Sequence, residues 1–248
     1  MKTYLELIAG LKELKKQGFI KTKRAGNTGI GKTLEDLLGI EENNFAGPDG
    51  KDTELKSTRK NSSTMLTLFA KNPLPGRINS KLREEYGYPD DNYPDVKVIR
   101  KSLDTTGFAV IQKSPEKIAF KVVANGDRIE LFASRPPKKF LNMPNPYWEK
   151  EHFDNAFKKK YKKNLLYVHA ESKGKDGNEE FHYTDAFLLE GFSYEKFSKN
   201  LKDGILIIDI RLGLYNSGPK IGKAHDHGTA FRIYPSKLDK IFTGTKVI

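Results

Sequence analysis

Apolar positions spaced three and four residues apart open the chain. Leu7, Leu11 and Leu14, with Ile8 beside them, share one helical face, and Gly18 suits the residue just past a helix end. A helix is therefore expected over about residues 3–17. A basic, glycine-rich stretch from Lys21 to Gly31 follows, then a short helix from Lys32 that Gly39 stops. Residues 53–58 and 64–71 read as two strands joined by the turn-rich Arg59–Ser63, and proline, glycine and charge mark 72–95 as a long surface excursion. Alternation from Gly107 to Ser134, with Asn125-Gly126 at a turn, predicts a β-meander. A helix over about 146–162, strands at about 164–171 and 182–189, and a helix at 194–202 come next. The apolar run from Ile205 to Leu212 suits the middle of a sheet. A strand near 229–234 and a short helix from Pro235 finish a mixed α/β pattern with no internal repeat.

Composition narrows the class. The 248 residues suffice for one large domain or two small ones, and 37% hydrophobic with 11% aromatic residues mark a folded protein. The formal net charge of +12 attracts a polyanion, of which nucleic acid is the commonest for a soluble protein. The absence of cysteine excludes disulfides, thiolate zinc sites and a cysteine nucleophile. The start lacks a secretion signal, and no apolar run approaches the roughly 20 residues that span a bilayer, so a cytoplasmic protein without a membrane partner is expected.

The chemistry concentrates between Gly47 and Thr58. Asp49 precedes Glu54 and Lys56, which project from one face if 53–58 is a strand, with Asp49 in the preceding turn able to fold back beside them. Two carboxylates and a backbone carbonyl supply the hard oxygen ligands that Mg²⁺ prefers. A lysine beside them can orient or deprotonate a water, which is what phosphodiester hydrolysis needs. Taken alone, Glu54 and Lys56 also fit an exposed strand with a surface ion pair.

Gly29-Ile30-Gly31-Lys32-Thr33-Leu34-Glu35-Asp36-Leu37, followed by Pro48-Asp49 and Glu54-Leu55-Lys56-Ser57-Thr58, resembles the MutH-like branch of the restriction-endonuclease fold. Glu54–Arg59, with Leu66-Thr67-Leu68-Phe69 soon after, is most similar to the monomeric MvaI/BcnI type of restriction enzyme. The resemblance is specific over about residues 26–71 and weaker at 205–232. It implies an α/β (α+β) PD-(D/E)XK core with a second lobe and a DNA cleft between them. The catalytic lobe would cover about 1–135 plus parts of 164–200, and the recognition lobe mainly about 200–248. Asp49, Glu54 and the Leu55 carbonyl would hold Mg²⁺, Lys56 would handle the water, and Glu35 matches the glutamate that joins the centre from a helix. Asp52 could replace Asp49, but the family's Pro-Asp step lies at 48–49. The activity implied is type II cleavage of double-stranded DNA at a short CCNGG-like site, by a monomer nicking the strands in separate events. Mn²⁺ would substitute for Mg²⁺, Ca²⁺ would bind without supporting cleavage, and a companion methyltransferase would act in the same bacterial cell.

The resemblance also assigns Asp209, Arg211 and a His225-Asp226-His227 loop, with Arg232, to reading base edges in the major groove, where Arg and His donate to guanine and Asp accepts from cytosine. Lys32 and Lys160, the latter in the basic run Lys158–Lys163, are expected on phosphates, as are Lys138-Lys139 beside Pro136-Pro137. Rival readings are a mismatch-repair nicking endonuclease, a non-catalytic nucleic-acid-binding module, and a P-loop ATPase. The last rests on Gly26-Asn27-Thr28-Gly29-Ile30-Gly31-Lys32-Thr33, which satisfies G-x-x-x-x-G-K-[ST] but follows no buried strand.

Overall fold

The computed structural model describes residues 1–40, 48–114, 116–134, 138–140, 142–161, 164–175 and 178–248. Gly47, Pro136, Pro137, Lys162, Lys163 and the side chain of Lys159 lie outside the described residues.

The first elements are α1 (Tyr4–Gln17), β1 (Ile20–Lys21), α2 (Gly29–Leu37), β2 (Thr53–Arg59), β3 (Leu66–Ala70), α3 (Ile78–Tyr86), β4 (Tyr88–Pro89) and β5 (Lys97–Leu103). The middle of the chain adds β6 (Ala109–Val110), β7 (Ala119–Asn125), β8 (Arg128–Ala133), β9 (Tyr147–Glu149) and α4 (Lys150–Lys160). After it come β10 (Asn164–Lys173), β11 (Glu180–Glu190), α5 (Tyr194–Lys202), β12 (Ile207–Leu214), β13 (Ala224–Ile233), a 3₁₀ turn (Pro235–Lys240) and β14 (Thr243–Lys246). The chain forms two compact units, residues 1–63, 154–193 and 238–248 in one, 64–153 and 194–237 in the other. The chain first passes from one unit to the other after Ser63. The two strands flanking Arg59–Ser63 part company there, β2 pairing with β10 and β3 with β13.

In the first unit, α1 starts on a capping box. The Glu6 N–H donates to Thr3 Oγ1 and the Thr3 N–H donates to the Glu6 carboxylate, a device worth about 1 kcal/mol. The sheet runs β1-β11-β10-β2, with β14 also on β11. β2 lies parallel to β10, Glu54 opposite Leu165 and Lys56 opposite Tyr167. Alternation sends Leu55, Leu166, Val168 and Ala170 into a core with Leu7, Leu11, Leu14, Ile30 and Leu34. The same alternation leaves Glu54 and Lys56 on the opposite face.

The second unit holds the sheet β3-β13-β12-β5-β4 and the meander β6-β7-β8-β9. β12 is central as expected, between antiparallel β13 and β5. Its Ile208, Ile210 and Leu212 are buried, and Phe231 of β13 meets Phe69, Phe153, Phe197 and Trp148 ring to ring. Asp209 and Arg211 occupy the other, partly open face. Three expectations need correction. Residues 72–95 contain α3, whose Ile78 and Leu82 are buried one turn apart. The helix expected from 146 begins at Lys150, because Tyr147–Glu149 bonds to β8. The His225-Asp226-His227 segment is strand, since β13 extends back to Ala224 and pairs with the end of β12.

Candidate active site

The centre begins with a turn. The Gly50 N–H donates to Thr53 O at 2.9 Å, and a Cβ there would sit 3.0 Å from Lys2 O and 3.1 Å from Thr53 O. Glycine therefore lets the chain pass this point, and the turn carries Asp49 back over β2. Asp49 Oδ2 accepts the Leu55 N–H at 2.9 Å. Glu54, only 2% exposed, holds the Lys56 ammonium 3.0 Å from Oε1. Burial, then the charge of Glu54, pushes the Asp49 carboxyl above its usual range, against the pull of the Leu55 N–H, Lys56 and Lys160.

Lys160 was expected on the DNA backbone, and the structure places it here, its Nζ also 3.0 Å from Glu54 Oε1. The reason is topological. α4 ends at Lys160, and Asn164 at the start of β10 lies opposite Thr53 in the parallel register, so the helix end arrives beside the start of β2. Tyr161 comes with it, its phenol pushed well above the ordinary value by burial first and then by Glu54 and Asp49. Sequence spacing held no signal for either residue, because the β2–β10 pairing joins segments about a hundred positions apart.

Asp49 on its turn thus precedes an edge strand, parallel to its neighbour, that carries Glu54 and Lys56. The model of the MvaI/BcnI restriction endonuclease family matches residues 8–242. The chain belongs to the MvaI/BcnI restriction endonuclease family. Among solved structures, "Restriction endonuclease MvaI-cognate DNA substrate complex" is 31% identical over 100% of both chains, with a TM-score of 0.89. "Restriction endonuclease MvaI in the absence of DNA" is 30% identical over 100% of this chain and 99% of that one, with a TM-score of 0.60. No curated relative matches. Family membership makes the protein a site-specific DNase of the divalent-metal type.

The residues present fit a divalent cation. Glu54 Oε2 is buried and has no hydrogen-bond partner, a costly state for a carboxylate oxygen unless something charged completes it. Among the described residues no three His, Cys, Asp or Glu side chains cluster as metal ligands. Two carboxylates plus a backbone oxygen suit Mg²⁺, which keeps several waters. Glu35 lies on α2, one turn beyond Gly31, whose Cβ position backs onto Ser57 on the core-facing side of β2. The charge of Glu35 acts on the Tyr183 hydroxyl, which donates to Ile30 O.

The residues expected to read bases do gather, all on β12 and β13, but they are tied to one another. Arg232 Nη1 donates to Asp209 Oδ2 at 3.0 Å and its Nη2 to Met65 O at 3.0 Å, while Ser102 donates to Asp209 Oδ1. Arg211 donates to His227 O and Gly228 O. Asp226 accepts from Asn72, Asn79 and the Gly228 N–H. His225 stacks on Tyr215 at 4.0 Å and meets His227 edge-on at 4.3 Å, and His227 Nε2 lies 3.0 Å from Leu214 O. Burial, then His227, lowers the pKa of His225.

The P-loop reading fails on geometry. Gly29 and Gly31 lie inside α2, a nine-residue helix, and the preceding β1 is two residues long and antiparallel to its neighbour. The Thr33 hydroxyl accepts the Lys23 N–H, and Lys32 pairs with Asp36 at 2.8 Å. A phosphate cradle needs all of these groups facing one ligand.

Proposed function

We propose that the protein is a type II restriction endonuclease that hydrolyses double-stranded DNA with Mg²⁺, as a monomer nicking each strand in turn at a short CCNGG-like site. The observation that carries this reading is the buried Glu54, with one oxygen bare and the other on two ammonium groups, next to an Asp49 held at raised pKa. The 31% identity to an MvaI solved with its cognate DNA supports the substrate class. Asp49 is favoured over Asp52 because its carboxylate bonds the Leu55 N–H and shares the site with Glu54.

Asp49, Glu54 and the Leu55 carbonyl would hold the metal. When bound, Mg²⁺ supplies a water of lowered pKa and neutralises charge on the phosphoryl oxygens. Lys56 orients the attacking water beside Glu54 and offsets charge building on the non-bridging oxygens. Water adds to phosphorus, one P–O ester bond breaks, and the leaving alkoxide takes a proton. Glu35 supports the centre from α2. Arg211, His225 and His227 present donors to guanine, while Asp209, Asp226 and Arg232 hold that strand pair in shape and meet bases only by exchanging their present partners. Lys32 contacts phosphate only by leaving Asp36. Mn²⁺ substitutes for Mg²⁺, Ca²⁺ binds without cleavage, and a companion methyltransferase protects the host.

Supercoiled plasmid incubated with the protein in Mg²⁺, Mn²⁺, Ca²⁺ or EDTA tests the reading. Nicked circles that become discrete linear fragments in Mg²⁺ and Mn²⁺ alone are expected, and mapped ends give the site. Nicked circles that never become linear, or no cutting in any metal, overturn it.

A further inference from the structure

Lys160 has no place in the machinery described above, yet it occupies the centre. Its ammonium and that of Lys56 share one oxygen of Glu54, each at 3.0 Å, and Lys160 is close enough for its charge to act on Asp49 as well. Counting formal charges, Asp49 and Glu54 contribute two negative and Lys56 and Lys160 two positive, so the pocket balances without any metal. Two carboxylates this buried repel one another and lose hydration, and a second ammonium relieves both costs. The same ammonium must repel a doubly charged cation arriving at the bare Oε2. The Lys160 side chain is 31% exposed at the tip of α4, against 18% for Lys56, so it is the lysine with room to withdraw.

Resting on the metal-dependent reading above, we propose that Lys160 is a resident counter-ion of the active centre. It neutralises Asp49 and Glu54 in the metal-free protein and competes with the divalent cation for Glu54. Lys160 is a positioning residue in this account, acting on the metal through Glu54. Its removal costs stability without metal and tightens metal binding. Repulsion between a doubly and a singly charged ion a few ångströms apart corresponds to about tenfold in affinity even at the dielectric constant of water.

The test uses the full chain without DNA. Ca²⁺ is titrated calorimetrically into wild type, Lys160→Met and Lys160→Arg, and Tm is measured with and without Ca²⁺. Lys160→Met should bind Ca²⁺ about tenfold more tightly, have a lower Tm in EDTA, and gain more Tm from Ca²⁺ than wild type. Lys160→Arg, which keeps the charge, should restore the wild-type affinity. Should Lys160→Met be too unstable to titrate, its larger Ca²⁺-induced rise in Tm still reads the competition. Unchanged or weaker Ca²⁺ binding by Lys160→Met overturns the proposal, and so does an Arg variant that behaves like Met. If wild type itself neither binds Ca²⁺ nor cuts plasmid in Mg²⁺, the underlying functional reading has failed, and that result is separable from these.

Discussion

The Glu54–Lys56 side of β2 and the polar side of the β12–β13 pair both crowd charged residues onto a strand surface, with opposite outcomes. On β12–β13, Asp209 has Arg232 and Ser102, Arg232 has Asp209 and Met65 O, and Asp226 has two asparagines and a backbone N–H. Beside β2, Glu54 Oε2 has nothing and Asp49 sits at a raised pKa. On the first surface both carboxylates are fully partnered, and the bare buried atom there is Arg232 Nε. The second is incomplete in a way that costs stability, and such strain is retained where a ligand relieves it. Charge density alone therefore does not distinguish the two surfaces, whereas the bare carboxylate oxygen of Glu54 does.

The largest test of that contrast is Asp49→Asn. The amide still accepts the Leu55 N–H but removes a metal ligand, so plasmid cleavage should fall by about a thousandfold or more. A carboxyl whose pKa is raised on folding is destabilising once ionised, so near neutral pH the variant should be at least as stable as wild type in EDTA. Urea unfolding in EDTA that shows a clear loss would place Asp49 in a structural network like that of Asp209.

Next in size is Arg232→Ala, which strands the part-buried Asp209 carboxylate and frees Met65 O. Urea unfolding should show a loss of about 2 to 3 kcal/mol, with cognate and scrambled duplexes bound equally less well in Ca²⁺. A selective loss on the cognate duplex at unchanged stability would make Arg232 a base reader after all. Arg211→Ala leaves Asp209 paired with Arg232 and should reduce discrimination between those duplexes by about 1 to 2 kcal/mol. An even loss on both duplexes would remove Arg211 from the reading surface.

The smallest effect concerns Asp185, at the far end of the sheet face that carries Glu54. The Lys246 ammonium, joined by Thr184 and Lys60, holds its carboxyl down at about 2. A depressed carboxyl contributes stability above its unfolded value near 4, and that contribution is lost as pH falls through about 2. Asp185→Asn should remove about 1 kcal/mol near neutral pH after solvent screening. Wild type and variant should converge in stability as the solution is acidified through this window. A constant gap across the window would assign the effect to packing.

Much of this was legible along the chain because it is local. The Leu7–Leu11–Leu14 stripe, the alternation through β7 and β8, and the Glu-x-Lys step each depend on residues a few positions apart, and periodicity reports them directly. The α3 helix was hidden because Ile78 and Leu82 are two apolar positions in a segment otherwise rich in proline, glycine and charge. The His225–His227 strand was hidden because polar residues in a strand look like a loop until the partner strand is known.

The sequence by itself determined the family, the Asp49–Glu54–Lys56 step and the strand that displays it, since covalent spacing on a strand sets which side chains share a face. Only the tertiary structure decided which cations meet those carboxylates. The parallel pairing of β2 with β10 brings Lys160 and Tyr161 to Glu54, and the pairing of β12 with β13 turns Asp209 toward Arg232. Those choices depend on strand register between distant segments, where a shift of one residue moves every side chain to the opposite face.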